Sequence, residues 1–381
     1  MAENIIPYGK QTIDEEDIQA VIETLESDFL TTGPKIQEFE KKFAEYVGAK
    51  YAVAVSSGTA ALHVACLAAG LESGDELITS PMTFAASANC ALYCDAKPVF
   101  VDIKENGLID ENLIEERITS KTKIVIPVHY AGLPCEMKKI KEIADRHKLI
   151  IIEDACHALG AEYEKTKIGD CAHSDMAVFS FHPVKHITTG EGGMITTNSE
   201  ELYQKLLMFR SHGITKDSDK LLNKSEGPWF HEMQELGFNY RITDFQCALG
   251  ISQLSKIDKF VERRREIAKK YDEAFANIDK IEPLRQSEES KDAYHLFVIK
   301  VENKEKRLEL FNYLKENNIF CQVHYIPVHW HPYYQKLGYE KESCPEAGKF
   351  YERIISLPMY PGLKDAEQER VIQVIKDFYA K

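Results

Sequence analysis

The stretch FSFHPVKHITTGEGGM (179–194) sets one lysine, Lys185, between a strand-like apolar run and a cluster of threonines and glycines. The segment is too rich in turn formers for a helix, so Lys185 reads either as a solvated charge or as a group projecting from a strand end. A lysine in a partly desolvated pocket beside another cation has a lowered pKa and can form a Schiff base. Glu153-Asp154-Ala155-Cys156-His157 closes a second apolar run with two carboxylates and a histidine. An aspartate there commonly caps a helix; buried beside a cation, it stays ionised and can hold a protonated ring nitrogen. A third place, Ser56-Ser57-Gly58-Thr59-Ala60-Ala61, is a small-residue turn between a strand and a helix. Such a turn is either plain capping or an anion pocket at the positive end of a helix dipole.

The elements that must carry these residues follow from periodicity. Residues 51–55 (YAVAV), 76–80, 98–103, 123–128 and 149–154 are short runs of nearly continuous apolarity, alternating with helical stretches at 58–70, 84–94 and 137–148. Continuous apolarity marks strands covered on both faces, hence a mainly parallel sheet in an α/β fold. Two further strands, 177–181 and 194–197, flank the lysine segment. Thr12 followed by Glu15 reads as a capping box opening an amphipathic helix. After about residue 243 the pattern changes to a long charged helix through 259–275, a strand at 295–301 and helices near 304–317 and 365–378. The expected division is a large domain over 1–250 and a smaller C-terminal α+β domain over 251–381.

The 381 residues carry a formal net charge of -14 without a long single-sign run, which argues against a nucleic-acid partner. No window approaches the roughly 20 apolar residues of a membrane helix, and the N-terminal stretch has no basic region followed by an apolar one. A cytoplasmic protein with no membrane partner is the expectation. The nine cysteines are an odd number without a CxxC pair, which suits reduced thiols.

Ligands of open α/β sheets collect at the carboxyl ends of the strands. A phosphate on the helix N-terminus, a pyridinium facing Asp154 and an aldehyde captured by Lys185 together describe one ligand, pyridoxal phosphate.

SSGTAALH (56–63), EDACHALGA (153–161), FSFHPVKHITTGEGGMITT (179–197) and GFNYRITDFQCALG (237–250), in this order, resemble the motifs of the DegT/DnrJ/EryC1/StrS sugar aminotransferases. In detail the chain is most similar to the UDP-sugar C4 aminotransferases of pseudaminic acid biosynthesis. The resemblance implies an aminotransferase of fold type I. Lys185 would bind the cofactor aldehyde and move the proton; Asp154 would face the pyridine nitrogen. His157, where the family often has glutamine, would lie near the phenolic oxygen. Gly58, Thr59 and Ser180 would bind the phosphate, and Phe84 would stack on the ring. Asn239 would reach the cofactor of the neighbouring subunit, with Tyr240 and Arg241 at the interface, so a homodimer is implied. Thr31 in the TTGP loop, and His324 and His329 in VHYIPVHWHPYY (323–334), would line the pocket of a UDP-linked 4-keto sugar, with L-glutamate as donor.

Three other readings compete. His324, His329 and His331 have a spacing that a metal can use, but no carboxylate or cysteine accompanies them. Dehydratases within the family bear histidine at the lysine position, which Lys185 opposes. A non-catalytic cofactor-binding regulator is opposed by the complete set Asp154, Ser180, Lys185 and Asn239. Bacillosamine-type, perosamine-type and aminoarabinose-type substrates remain alternatives to the pseudaminic acid precursor.

Overall fold

The structure, a computed structural model, describes residues 5–284 and 289–380. Its centre is a seven-stranded sheet of β1 (Tyr51–Val55), β2 (Glu76–Thr79), β3 (Lys97–Phe100), β4 (Thr122–Ile126), β5 (Ile150–Asp154), β6 (Met176–Ser180) and β7 (Gly193–Thr197). The order across the sheet is β1-β7-β6-β5-β4-β2-β3. All neighbours are parallel except β7, which runs antiparallel to both β1 and β6.

Continuous apolarity has its physical reason in the two cores that sandwich this sheet. Along β1, Ala52 and Ala54 join one buried cluster while Val53 and Val55 join the other. Along β6, Ala177 and Phe179 face the first, Met176 and Val178 the second. Alternate strand residues point to opposite faces, so neither face can be polar. α1 (Glu15–Leu25) packs on α7 (Asp244–Leu254), and α7 covers the sheet together with α2 (Pro34–Val47), α3 (Gly58–Ala68), α4 (Ala86–Tyr93), α5 (Met137–His147) and α6 (Glu200–Arg210).

α8 (Ile257–Phe275) then links two packing regions. Its Phe260 and Val261 belong to the first cluster, whereas Ile267, Ala268, Tyr271 and Phe275 belong to a third. That third core also holds Phe297 and Ile299 from an antiparallel three-stranded sheet, together with Leu310, Leu314, Val371 and Ile375 from the two helices that follow. The N-terminal Ile6 packs there as well, on a short strand parallel to Ile319–Phe320.

Two local expectations are corrected. The capping box of α1 is formed by Asp14 and Asp17, not by Thr12 and Glu15: Asp14 accepts from the Asp17 N–H and Asp17 from the Asp14 N–H. Aspartate serves as well as threonine at this position, and the start of the helix two residues later decides between them. The run 98–103 stays in the sheet only to Phe100. Beyond it Asp102 turns outward, and its carboxylate accepts from the N–H groups of Glu346 and Ala347 at 2.8 and 2.9 Å.

The TTGP loop is held by a distant residue. Asp244, fully buried at the start of α7, accepts from the Gly33 N–H at 2.8 Å and the Lys35 N–H at 3.0 Å, capping α2 from outside its own chain segment. Gly33 must be glycine, since a Cβ there would lie 2.4 Å from Phe29 Cβ and 2.7 Å from the Asp244 carboxylate. Asp244→Ala is expected to lower stability by about 1–2 kcal/mol, as loss of a helix cap does. Asp244→Asn should retain part of this, because the amide oxygen still accepts. Urea unfolding midpoints of the three proteins check the order.

Candidate functional site

The carboxyl ends of β1, β5 and β6 meet at one end of the sheet, over a cavity of about 420 Å³. Asp154 is the last residue of β5 and is 5% exposed. Its Oδ2 accepts from Ser87 Oγ at 2.6 Å and its Oδ1 from the Cys156 N–H at 3.2 Å. Ser87 is in turn 2.7 Å from Thr83 Oγ1. Two donors from different elements therefore fix the carboxylate plane at the cavity wall. Glu153, one residue earlier, points to the other face of the strand, where it pairs with His129 at 2.7 Å and accepts from Ser174.

The small-residue turn after β1 becomes the N-terminus of α3. Ser57 is its cap and accepts from the Ala60 N–H at 3.1 Å. The opening turn of a helix leaves N–H groups unpaired along its axis, and Gly58 and Thr59 present theirs where the cavity narrows. Gly58 is required by close approach: a Cβ would sit 2.8 Å from Ser180 Cβ, at the end of β6. The hydroxyls of Ser57, Thr59 and Ser180 join these N–H groups in a cradle with the size and polarity for a phosphate.

Lys185 follows in a turn closed by its own N–H to the His182 carbonyl at 2.9 Å. Its side chain enters the same cavity and has no ion-pair partner among the described residues. Burial lowers its pKa, with Arg264 adding to the effect and Cys156 and Asp154 opposing it. Arg264 is itself fully buried without a carboxylate; its Nη1 donates to the carbonyls of Tyr294, His295 and Met359, and burial brings its pKa down to about 9.

The remaining walls are aromatic and imidazole. Phe84, 62% exposed, stands at the entrance 6.2 Å from the Tyr325 ring. His157 is buried, its Nε2 3.1 Å from Tyr325 Oη and its Nδ1 without a partner. His295 packs on it at 4.2 Å, and His324 lies 5.3 Å from Tyr8. Burial holds His157 and His295 well below the ordinary histidine pKa and brings His324 down to about 4, Lys185 contributing in each case.

Gly58, Thr59, Phe84, Asp154, His157, Ser180, Lys185 and His324 thus converge on one cavity. The other sequence candidates lie elsewhere in the single chain. Asn239 is exposed and bridges to Ser211. Tyr240 packs against Phe238 and bonds His63 at 3.2 Å. Arg241 lines a separate groove with Thr32 and Gly33, and Thr31 bridges to Thr243. His329 is a correction: it is fully buried beside Phe100 with Nε2 3.1 Å from the Lys341 carbonyl, so it packs the interior instead of facing the cavity. Sequence reasoning missed Ser87, Tyr8 and His295, and reached Tyr325 only as one of the aromatics of segment 323–334. Ser87 had a signal, since it falls three residues after Phe84 where a helix begins; Tyr8 and His295 had none, being isolated in the sequence.

These residues fit pyridoxal phosphate: a cradle whose backbone approach a side chain at position 58 would block, a fixed carboxylate and, among the described residues, an amine without a counter-ion and a buried imidazole nitrogen lacking a partner. Comparison with known proteins agrees. Residues 11–376 match the DegT/DnrJ/EryC1/StrS aminotransferase family. The chain is 43% identical over 380 residues to the spore coat polysaccharide biosynthesis protein SpsC of Bacillus subtilis, covering 98% of this chain and 97% of that one. It is 40% identical over 370 residues, 95% of each chain, to the UDP-4-amino-4,6-dideoxy-N-acetyl-beta-L-altrosamine transaminase of Campylobacter jejuni. Among solved structures, the pyridoxal phosphate form of the putative sugar aminotransferase Spr1654 from Streptococcus pneumoniae superposes with a TM-score of 0.91 at 31% identity, covering 98% of both chains. The chain belongs to the DegT/DnrJ/EryC1/StrS aminotransferase family and is a sugar aminotransferase that uses pyridoxal phosphate.

Proposed function

We propose that the enzyme transfers the amino group of L-glutamate to C4 of a UDP-linked 4-keto-6-deoxy-N-acetylhexosamine, working as a homodimer. The observation that carries the reaction type is the convergence of Lys185, Asp154 and the Gly58–Thr59 cradle on one cavity. The choice of sugar is supported by the name of the Campylobacter relative. The homodimer is supported by the exposure of Asn239, which leaves it free to serve a neighbouring copy.

The bound cofactor supplies a pyridine ring that accepts the electron pair left when the amino-bearing carbon loses a proton. The chain's own residues do the rest. Gly58, Thr59, Ser57 and Ser180 would hold the cofactor's phosphate and so fix the ring's position. Asp154, kept in plane by Ser87 and the Cys156 N–H, would face the protonated ring nitrogen. Phe84 would cover one face of the ring and exclude water. Lys185, whose lowered pKa makes the unprotonated amine more abundant near neutrality than for an ordinary lysine, would bond the aldehyde carbon with loss of water. Freed by the donor amine, Lys185 would be the base that moves the proton at the glutamate carbon, and the same group would serve the keto sugar in the opposite direction. One cofactor would carry the amino group from donor to acceptor, so the donor's keto acid leaves before the keto sugar binds, which predicts ping-pong kinetics.

Lys185→Ala is expected to lack the visible band of the lysine-bound cofactor, and glutamate should bleach that band only in the parent protein. Loss of the proton-moving group alone should cost about 10²–10⁴-fold in turnover. Repeated turnover by Lys185→Ala with a UDP-4-keto sugar would remove this assignment of the lysine.

The neutral imidazoles carry a stability consequence. His157, His186, His295 and His324 all have folded-state pKa values below the ordinary 6.5, burial being the first cause in each. Below pH 6.5 the unfolded chain binds protons that the folded chain refuses, so stability falls as pH falls, down to about 4 where His324 itself protonates. Each such group contributes a slope of up to roughly 1.4 kcal/mol per pH unit. Thermal midpoints between pH 7.5 and pH 5 should drop steeply, and His295→Asn or His324→Asn should each flatten the fall; an unchanged slope in both variants would contradict this origin of the acid sensitivity.

A further inference from the structure

The two ring nitrogens of His157 are in different circumstances. Nε2 is 3.1 Å from the Tyr325 hydroxyl, while Nδ1 is buried and without a hydrogen-bond partner. The Tyr325 ring lies nearly parallel to the imidazole, at 27° and 6.0 Å between centroids, and both residues line the cavity that Lys185 enters. His157 is the only hydrogen-bond partner of the Tyr325 hydroxyl among the described residues.

Burial drives the imidazole pKa well below, and the phenol pKa well above, their ordinary values. Both groups are therefore neutral, and the pair holds two protons, one on each ring system. A phenol O–H is a stronger acid than an imidazole N–H, and an unprotonated imidazole nitrogen is a better acceptor than a phenol oxygen. The favoured direction is thus O–H to Nε2, which leaves the imidazole proton on Nδ1. The reverse tautomer would turn a lone pair, not a proton, toward any ligand met by Nδ1.

We propose that Tyr325 is a positioning residue: its hydroxyl donates to His157 Nε2 and holds the imidazole in the tautomer whose only N–H is Nδ1, the donor offered to the anionic ring oxygen of the bound cofactor. The contact to the cofactor rests on the proposed function together with the place near the phenolic oxygen that the family resemblance implies for His157; the tautomer does not. A side-chain amide at position 157 would always offer an N–H, but a histidine offers one at a chosen atom only when its other nitrogen is occupied by a donor. Tyr325 supplies that donor from a distant part of the chain.

Nitrogen NMR of the apoprotein labelled at histidine, with the His157 signals identified by their loss in His157→Gln, tests the tautomer without cofactor. In the parent protein Nδ1 should be the protonated nitrogen and Nε2 the unprotonated one; in Tyr325→Phe, which keeps the ring packing, both should move toward averaged values. A protonated Nε2 in the parent, or a pattern unchanged in Tyr325→Phe, overturns the proposal. In the loaded enzyme, loss of a fixed donor to the phenolate should raise the pH midpoint of the visible band by on the order of one unit in Tyr325→Phe. The same substitution in a His157→Gln background should leave the midpoint where it is. Lys185, Asp154, Cys156, His295, His324, Tyr8, His182 and Glu191, the other titratable groups around the cavity, are common to all these proteins. A confirmed tautomer with an unmoved midpoint would overturn the cofactor contact and, with it, that part of the proposed site, while a midpoint that moves equally in both backgrounds would assign the effect to packing.

Discussion

The site depends on a carboxylate held in one orientation at the end of a buried strand. Asp154 is taken out of water by the sheet and the helices that cover it, and a buried polar group needs hydrogen-bond partners there. Two donors supply them: the Ser87 hydroxyl from α4 and the Cys156 N–H from the turn that follows. Ser87 faces β5 from α4, which starts directly after the loop carrying Thr83 and Phe84, so the exposed ring at the cavity entrance and the donor that anchors Asp154 come from one short segment.

A second constraint concerns the positive side of the balance. Arg264 sets a cation near Lys185, and among the described residues its guanidinium donates to backbone carbonyls and not to a carboxylate. Its positive charge acts in the same direction as burial, favouring the free amine that capture of an aldehyde needs. The other polar groups nearby are ones that burial keeps uncharged, His157, His186, His295 and His324, with tyrosines 8 and 325 beside them. They supply hydrogen-bonding direction without net charge.

Much of this was legible in the sequence because the residues nearest the expected phosphate and ring nitrogen sit on strand ends, where β-branched runs announce themselves. Asp154 closes IIIED, Ser180 closes MAVFS, and Gly58 opens α3 after YAVAV. The walls were less legible. Tyr325 lies in a segment the family resemblance marked as pocket-lining, but the resemblance gave His329 the same role, and a three-residue helical turn sends His329 inward against Phe100. Tyr8 and His295 reach the cavity through packing between segments nearly 290 residues apart, for which no local pattern exists. The capping of α2 by Asp244 is of the same kind: a contact of 211 residues' separation leaves no periodic trace.

α8 has a mechanical meaning. It is an unbroken helix of 19 residues, about 28 Å long, rooted at Phe260 and Val261 in the core under the sheet and at Tyr271 and Phe275 in the core beyond it. The floor of the cavity comes from the sheet, whereas His295, His324 and Tyr325 come from chain that follows this helix. A rod clamped at both ends sets the separation of floor and wall much as a spacer sets the gap between two plates, and Arg264, midway along it, ties that rod to the backbone bearing His295. The spacing between the sheet floor and the wall that carries His295 and Tyr325 is therefore tied to the length of this helix as well as to the residues that line the cavity.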